Sequence, residues 1–281
     1  MKNLKRIATV LILAIVSLSV FAQEKNNAFS VTITGKGKQA IIFIPGFACS
    51  GDVWTTTQAS LKGDFTFYTF TMAGFAGVPA QAAPTFTGWE TAIAAYIKQN
   101  KITKPIIIGH SMGGGLALAI AADYPDLPSK IIIVDALPCL AAIRDPSFKS
   151  KENNDCSAII NRFTAMKDDQ FYTMQLMTMS QLVADTSKIK MIAKWSLQSD
   201  RRTFAGMYCD FSNTDLRERI ANIKCPALIL LESAFVNFKP GIEDQYKNLK
   251  TANLQYATKG KHFIMYDDFN WYLQQLTAFI K

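Results

Sequence analysis

A serine between two glycines stands near the middle of the chain, within residues 108–114 (Ile-Gly-His-Ser-Met-Gly-Gly). One residue separates Gly109 from Ser111 and Ser111 from Gly113, a spacing that suits a tight turn where larger side chains would clash. Such a turn strains the serine backbone and raises its hydroxyl above the neighbouring chain. Because a serine hydroxyl is a weak nucleophile until a base removes its proton, the pattern predicts a nucleophile that needs a histidine partner.

The residues on either side of this turn have the patterns of a strand and a helix. Residues 105–108 form a short apolar run, and residues 112–124 are rich in alanine and leucine and are followed by Pro125. The predicted helix would direct its N-terminus at Ser111, which favours negative charge that develops there. The alternative interpretation is a glycine-rich helix start that Ser111 only caps.

The chain contains two histidines, His110 and His262. His110 is adjacent to Ser111, and neighbours on a sharp turn point in different directions, so we expect His110 to form a wall of the substrate pocket. His262 follows the last predicted strand, residues 254–257, and precedes the final predicted helix, residues 268–280. His262 is therefore the predicted general base.

Apolar runs and helical patterns alternate along most of the chain, which predicts an α/β fold with a mostly parallel sheet and helices on both faces. The alternation stops at about residue 137 and resumes at about residue 227, and the segment between looks helical. Predicted strands cover residues 40–44, 65–71, 105–108, 131–134, 227–231 and 254–257, and predicted helices cover residues 88–100, 112–124 and 268–280.

Two acidic residues stand at the ends of predicted strands. Asp135 follows residues 131–134, and Glu232 ends the strand of residues 227–231. Because the carboxyl ends of parallel strands meet at one edge of a sheet, either carboxylate could reach His262 there. The acid would fix the tautomer of the imidazole and stabilise its protonated form.

Several segments together resemble the α/β-hydrolase superfamily, and especially its capped esterase-like and peptidase-like members. They are residues 44–47 (Ile-Pro-Gly-Phe), the serine turn, the strand that ends in Asp135, and residues 260–263 (Gly-Lys-His-Phe). The chain order serine, acid, histidine also agrees. The resemblance implies a serine hydrolase whose core spans residues 23–136 and 225–281, with a helical cap, residues 137–224, inserted after the sixth strand.

The resemblance also ranks the two acids. Most relatives carry the carboxylate shortly after the seventh strand, where this chain has Phe235 and no aspartate. Some members use the end of the sixth strand instead, which corresponds to Asp135 here. Asp135 is thus the favoured acid and Glu232 the alternative, although Asp135 could also serve to order the entrance of the cap.

Two backbone N–H groups are implied as an oxyanion hole, those of Phe47 and Met112. Relatives usually have His-Gly where this chain reads Pro45-Gly46. The absence of this histidine affects the side chains that hold the loop in place. It does not affect the donor, because that is the backbone N–H of Phe47. Phe47 and His110 would also line the substrate pocket.

These features predict hydrolysis of a carboxylic ester, thioester or small amide through an acyl-enzyme on Ser111. The alternatives are a serine aminopeptidase or C–C bond hydrolase with the same triad, and a catalytically silent ligand-binding relative. No cofactor and no metal are implied, since the five cysteines include no closely spaced ligand pair. The Met, Phe and Tyr residues of the cap predict a small-molecule substrate with an apolar part.

The N-terminus has the pattern of a signal peptide over residues 1–22. Lys2, Lys5 and Arg6 precede an apolar stretch, and Ala22 offers a small residue at the expected cleavage site. The chain is therefore predicted to be exported, periplasmic or secreted, without a stable membrane anchor once the leader is removed; an uncleaved anchor is the alternative. The net charge of +8 comes from scattered side chains, which argues against nucleic acid as a partner.

Overall fold

The computed structural model describes residues 28–281, so the signal peptide predicted over residues 1–22 lies outside the described part. Its strands are β1 Phe29–Gly35, β2 Gln39–Ile44, β3 Phe65–Met72, β4 Ile106–His110, β5 Lys130–Val134, β6 Ala227–Leu231 and β7 Ala252–Tyr256. They form one sheet in the order β1-β3-β2-β4-β5-β6-β7. β1 runs antiparallel to β3 and all other neighbours are parallel, which confirms the predicted mostly parallel sheet.

Helices account for most of the remaining described chain. The α-helices are α1 Thr55–Ser60, α2 Phe86–Gln99, α3 Met112–Asp123, α4 Ser157–Thr164, α5 Asp168–Leu182, α6 Thr186–Leu197, α7 Arg201–Ser212, α8 Lys239–Tyr246, α9 Ile264–Asp267 and α10 Phe269–Ile280. Short 3-10 helices cover Gly51–Trp54, Ala141–Ile143, Arg219–Asn222 and Ser233–Phe238. Within residues 28–281, none of the helices combines the length and the apolar character needed to cross a bilayer.

The central strands are buried on both faces. Successive residues of a strand point to opposite sides, and Ile42 and Phe43 of β2 accordingly enter two separate hydrophobic clusters. Trp89 of α2 and Leu116 of α3 belong to the first cluster, and Tyr272 of α10 belongs to the second. Each fully buried large side chain of this kind contributes about 1.5–3 kcal/mol to folding. Helices thus cover both faces of the sheet, as predicted.

The helical segment predicted from the interrupted alternation consists of α4 to α7, which lie between β5 and β6. A disulfide between Cys156 and Cys209 joins the start of α4 to α7. Five of the described strands precede these helices, so the predicted insertion after the sixth strand is wrong by one strand. That number came from the family pattern, whereas the described sheet has seven strands in all.

Candidate active site

The serine turn has the strained geometry that its spacing predicts. β4 ends at His110, α3 begins at Met112, and Ser111 between them adopts φ 52° and ψ −122°. A Cβ at Gly109 would collide with the carbonyl oxygen of Gly113, so the turn closes only with glycine there. The strain is held in place by the sheet, because the Ser111 N–H donates to the Val134 carbonyl at 2.9 Å.

The side chains of Asp135 and His262 meet beside this turn. The Nδ1 atom of His262 lies 2.6 Å from Oδ2 of Asp135, and the Asp135 side chain is 1% exposed. The other carboxylate oxygen, Oδ1, accepts the N–H of Glu232 at 2.6 Å. A carboxylate only accepts, so His262 donates through Nδ1 and its Nε2 is the ring nitrogen able to take up a proton.

Glu232, the alternative acid, meets Asp135 through its backbone and not through its carboxyl. Its side chain lines the same cavity as Ser111 and His262. Burial, and secondly the charge of Asp135, raise the pKa of Glu232 to about 7. The structure therefore brings Asp135 onto the imidazole and leaves Glu232 beside the pair.

His110 is fully buried beside His262. Its Nε2 donates to the backbone carbonyl of His262 at 2.9 Å, and the two imidazole rings lie 4.7 Å apart. Burial holds the pKa of His110 well below its usual range, so the ring is neutral. His110 lines the cavity, where the sequence placed it as a wall, but its hydrogen bond to the His262 segment was not foreseen.

The loop after β2 lies against the serine turn. A Cβ on Gly46 would stand 2.7 Å from Nδ1 of His110 and 3.2 Å from Cβ of Ser111. Within residues 28–281, neither the Phe47 N–H nor the Met112 N–H donates to another protein group. The Met112 amide directly follows Ser111, and the Phe47 amide directly follows the glycine that lies against Ser111.

A cavity of about 600 Å³ opens over Ser111 and His262. The Phe47 ring lies between core and cap, with its centroid 4.6 Å from that of Phe204. The cap lines the cavity mainly with apolar side chains: Phe163, Met174, Met179, Leu182, Phe204 and Phe211. This lining suits a substrate with an apolar part.

Comparison with known proteins identifies the family. A model of the alpha/beta hydrolase family matches residues 41–269, which include the serine turn, Asp135 and His262. This chain belongs to the alpha/beta hydrolase family. The match spans both core segments and the helices between them.

Proteins that resemble this alpha/beta hydrolase in sequence or in structure include an esterase, a hydrolase and a lactonase. The chain is 25% identical over 223 residues to a pimeloyl-[acyl-carrier protein] methyl ester esterase of Wigglesworthia glossinidia brevipalpis, covering 79% of this chain and 85% of that one. A hydrolase from Oleispira antarctica superposes with a TM-score of 0.76 at 18% identity, covering 92% and 96% of the two chains. An enol-lactonase from Burkholderia xenovorans gives 0.72 at 14% identity, covering 90% and 96%.

Two polar side chains of the hydrolase's cap also reach the cavity, although nothing in the sequence singled them out. Gln175 of α5 is 4% exposed and Ser196 of α6 is 3% exposed, and both line the cavity. Each stands at an inward position of its helix, where an apolar residue is the usual choice. A helical pattern gives no signal for such a role, because the side chain acquires it only when the cap covers the core.

Proposed function

We propose that this alpha/beta hydrolase cleaves carboxylic esters through an acyl-enzyme formed on Ser111, with His262 as general base and Asp135 as its acid. The observation that carries the proposal is the 2.6 Å contact between His262 and Asp135 at a cavity that Ser111 also lines. The esterase names of its relatives support the same reaction class. Thioesters and small amides are the neighbouring substrates that the same chemistry would accept.

In the proposed reaction, Nε2 of His262 takes the hydroxyl proton as Ser111 Oγ attacks the ester carbonyl carbon. The carboxylate of Asp135 stabilises the imidazolium that forms. Collapse of the tetrahedral intermediate breaks the ester bond, and the leaving alcohol receives the proton from His262. Water then loses a proton to His262 and attacks the acyl-enzyme. As the second tetrahedral intermediate collapses, His262 returns this proton to Ser111 Oγ, and the carboxylic acid product leaves.

The negative charge of the tetrahedral intermediate would rest on the N–H groups of Phe47 and Met112. Their position supports this role, since both flank Ser111 and neither is used inside the described protein. The N-terminus of α3, which begins at Met112, adds a favourable dipole. Fixed donors of this kind are worth about 10²- to 10³-fold each in kcat.

A fluorophosphonate probe tests the nucleophile directly. We expect covalent labelling of the wild-type protein, and none of Ser111→Ala, with the modified peptide containing residue 111 in mass spectra. A panel of p-nitrophenyl esters and aminoacyl anilides then identifies the reaction, and ester turnover is the expected result. A folded wild-type protein that neither labels nor turns over any member of the panel would refute the proposal and favour a ligand-binding protein.

We also propose that the enzyme works outside the cytoplasm after removal of residues 1–22. The leader pattern is the first support. The second is the Cys156–Cys209 disulfide, because such bonds persist mainly in oxidising compartments.

A further inference from the structure

The cap holds a buried polar pair, Gln175 and Ser196, among lining residues that are mainly apolar. The buried residues of α5 are Phe171, Gln175 and Met179, which stand four residues apart on one face of the helix. Gln175 thus occupies the centre of an apolar stripe. Ser196 lines the same cavity from α6, which packs against α5.

Neither side chain is satisfied inside the described protein. Within residues 28–281, no hydrogen bond involves the Gln175 amide or the Ser196 hydroxyl. Other cap hydroxyls behave differently: Thr178 donates to the Met174 carbonyl at 3.0 Å, and Ser199 to that of Trp195 at 2.9 Å. The cap therefore satisfies those groups within its own helices and leaves Gln175 and Ser196 facing the space where substrate binds.

A substrate that enters the cavity displaces the water around the Gln175 amide, and an amide that then finds no partner costs free energy. A bound group that pairs with the amide avoids this cost. Gln175 and Ser196 carry no charge themselves, so together they offer hydrogen bonds and no counter-charge, which matches an uncharged ligand group. A glutamine offers both a donor and an acceptor, and it matches a ligand group that has both.

We propose that Gln175, assisted by Ser196, binds an uncharged hydrogen-bonding group of the substrate, a carboxamide or hydroxyl, in the part of the substrate that lies under the cap. The inference rests on the proposed esterase function. It narrows the substrate class to esters with an apolar hydrocarbon segment that ends in an uncharged hydrogen-bonding group. Gln175 is a specificity-determining residue and takes no part in the chemical step.

Two series of esters test the proposal. In the first, p-nitrophenyl esters of graded acyl length end either in a carboxamide or in the isosteric isopropyl group. In the second, acetate esters carry the same two ends on the alcohol. The measured quantity is the ratio of kcat/KM for the carboxamide ester to kcat/KM for its isopropyl partner.

At the best chain length of one series, we expect Gln175→Met to lower this ratio about tenfold and Ser196→Ala to lower it about threefold. The matched control is Gln170→Met, which makes the same change at an exposed position of α5 and keeps the wild-type ratio. The unfolding temperature of Gln175→Met should stay close to that of the wild type, since the amide makes no hydrogen bond within residues 28–281. A ratio that stays within about twofold of the wild type at every length in both series would overturn the proposal.

A binding measurement separates this inference from the proposed function. Hexanamide binding to the wild type and to Gln175→Met is compared by ligand-observed NMR, which needs no turnover. If no ester is cleaved but hexanamide binds the wild type about tenfold more tightly, the esterase proposal fails and the polar subsite stands. If esters are cleaved but hexanamide binds neither protein, or binds both equally, the polar subsite fails alone.

Discussion

At the scale of single residues, the Asp135 carboxyl is held from two sides. Oδ2 contacts the His262 ring, and Oδ1 accepts the N–H of Glu232 at the end of β6. The Asp135 N–H in turn donates to the Leu230 carbonyl at 2.7 Å. These bonds fix both the carboxylate and, through it, the tautomer of His262.

Replacing the acid should therefore damage turnover far more than replacing its neighbour. We expect Asp135→Asn to lower kcat about 10³- to 10⁴-fold, because an amide at this position favours the wrong imidazole tautomer. Glu232→Gln is the matched control, and we expect it to retain kcat within about threefold. Steady-state kinetics on a p-nitrophenyl ester measures both, and a larger loss in Glu232→Gln would exchange the two assignments.

Glu232 should instead reveal itself in the pH dependence of stability. Its pKa in the folded protein is raised from 4.5 to about 7, so the folded state holds the proton more tightly than the unfolded chain does. Ionising Glu232 is therefore less favourable in the folded state than in the unfolded chain. As a result, the free energy of unfolding of the wild type falls as the pH rises from about 4.5 to about 7. Below that window the carboxyl is protonated in both states and the effect disappears.

The expected result is that Glu232→Gln unfolds at a higher temperature than the wild type at about pH 8 and at nearly the same temperature at about pH 4. Differential scanning calorimetry across this range measures the gap. The exposed Glu152→Gln provides the comparison and should show no such trend. A difference in unfolding temperature between Glu232→Gln and the wild type that stays constant with pH would contradict the raised pKa of Glu232.

Candidate site residues were predictable from the sequence where neighbouring residues form a recognisable pattern, and not where the role depends on contacts between distant segments. Ser111 was predictable because its turn is encoded by adjacent glycines. Asp135 and Glu232 both end neighbouring strands, so the sequence offered two carboxylates. The sheet register, with Val134 opposite Leu230, brings the Glu232 N–H and not its carboxyl onto Asp135. The bond from His110 to the His262 carbonyl joins residues 152 apart and leaves no local trace.

At the scale of elements, buried strands were the most predictable part of the fold. The run predicted over residues 131–134 is observed as Lys130–Val134, and the helix predicted over residues 88–100 is Phe86–Gln99. β1 was not predicted as a separate strand, although Phe29, Val31 and Ile33 alternate with polar residues in the pattern of a half-exposed strand. The bounds of the cap helices were not predicted, because apolar residues recur along the whole of residues 137–223 and mark no ends of individual helices.

One ion-pair cluster ties the end of the cap segment to the core. Arg219 Nη2 lies 3.0 Å from Glu90 of α2 and 2.7 Å from Asp123 of α3, and the Glu90 side chain is 2% exposed. Removing one partner of a buried pair leaves a charge without compensation, at a cost on the order of 3 kcal/mol. The cluster is thus expected to matter far more than an ion pair on the surface.

We expect Arg219→Met to lower the free energy of unfolding by about 3 kcal/mol near neutral pH, as measured by urea denaturation. The double variant Glu90→Met with Arg219→Met should recover a large part of the loss, because no buried charge remains. Lys224→Met removes an exposed pair, Lys224 with Asp126 at 3.4 Å, and should cost less than about 1 kcal/mol. Equal losses in Arg219→Met and Lys224→Met would count against the buried cluster.

At the scale of the whole molecule, the cap depends on the disulfide for one wall of the cavity. α4 has no buried residue of its own, yet Ile159 and Phe163 line the cavity from it. The Cys156–Cys209 bond holds the start of α4 onto α7, whose Phe204 lines the same cavity with its ring centroid 5.4 Å from that of Phe163. The shape of the substrate cavity is therefore linked to the oxidation state of the protein.

Changing both cysteines to serine should lower the free energy of unfolding by about 3–4 kcal/mol and raise KM for apolar esters more than it lowers kcat. The serine turn and His262 lie in the core, so the chemical step is expected to survive. Dithiothreitol should reproduce the effect in the wild type and add nothing in the double variant. Identical KM values for wild type and double variant would show that α4 keeps its place without the bond.

Export and the disulfide make a joint prediction. If the leader directs the chain out of the cytoplasm, the protein recovered from periplasm or medium should begin at Gln23 and carry the Cys156–Cys209 bond, as intact-mass and peptide mapping would show. Ala22→Leu should retain the leader, because signal peptidase needs a small residue there. A variant that begins at Gln23 and stays in a reducing cytoplasm should have free thiols at both cysteines and the higher KM of the serine double variant. Recovery of the full-length chain in the membrane fraction would instead establish an uncleaved anchor.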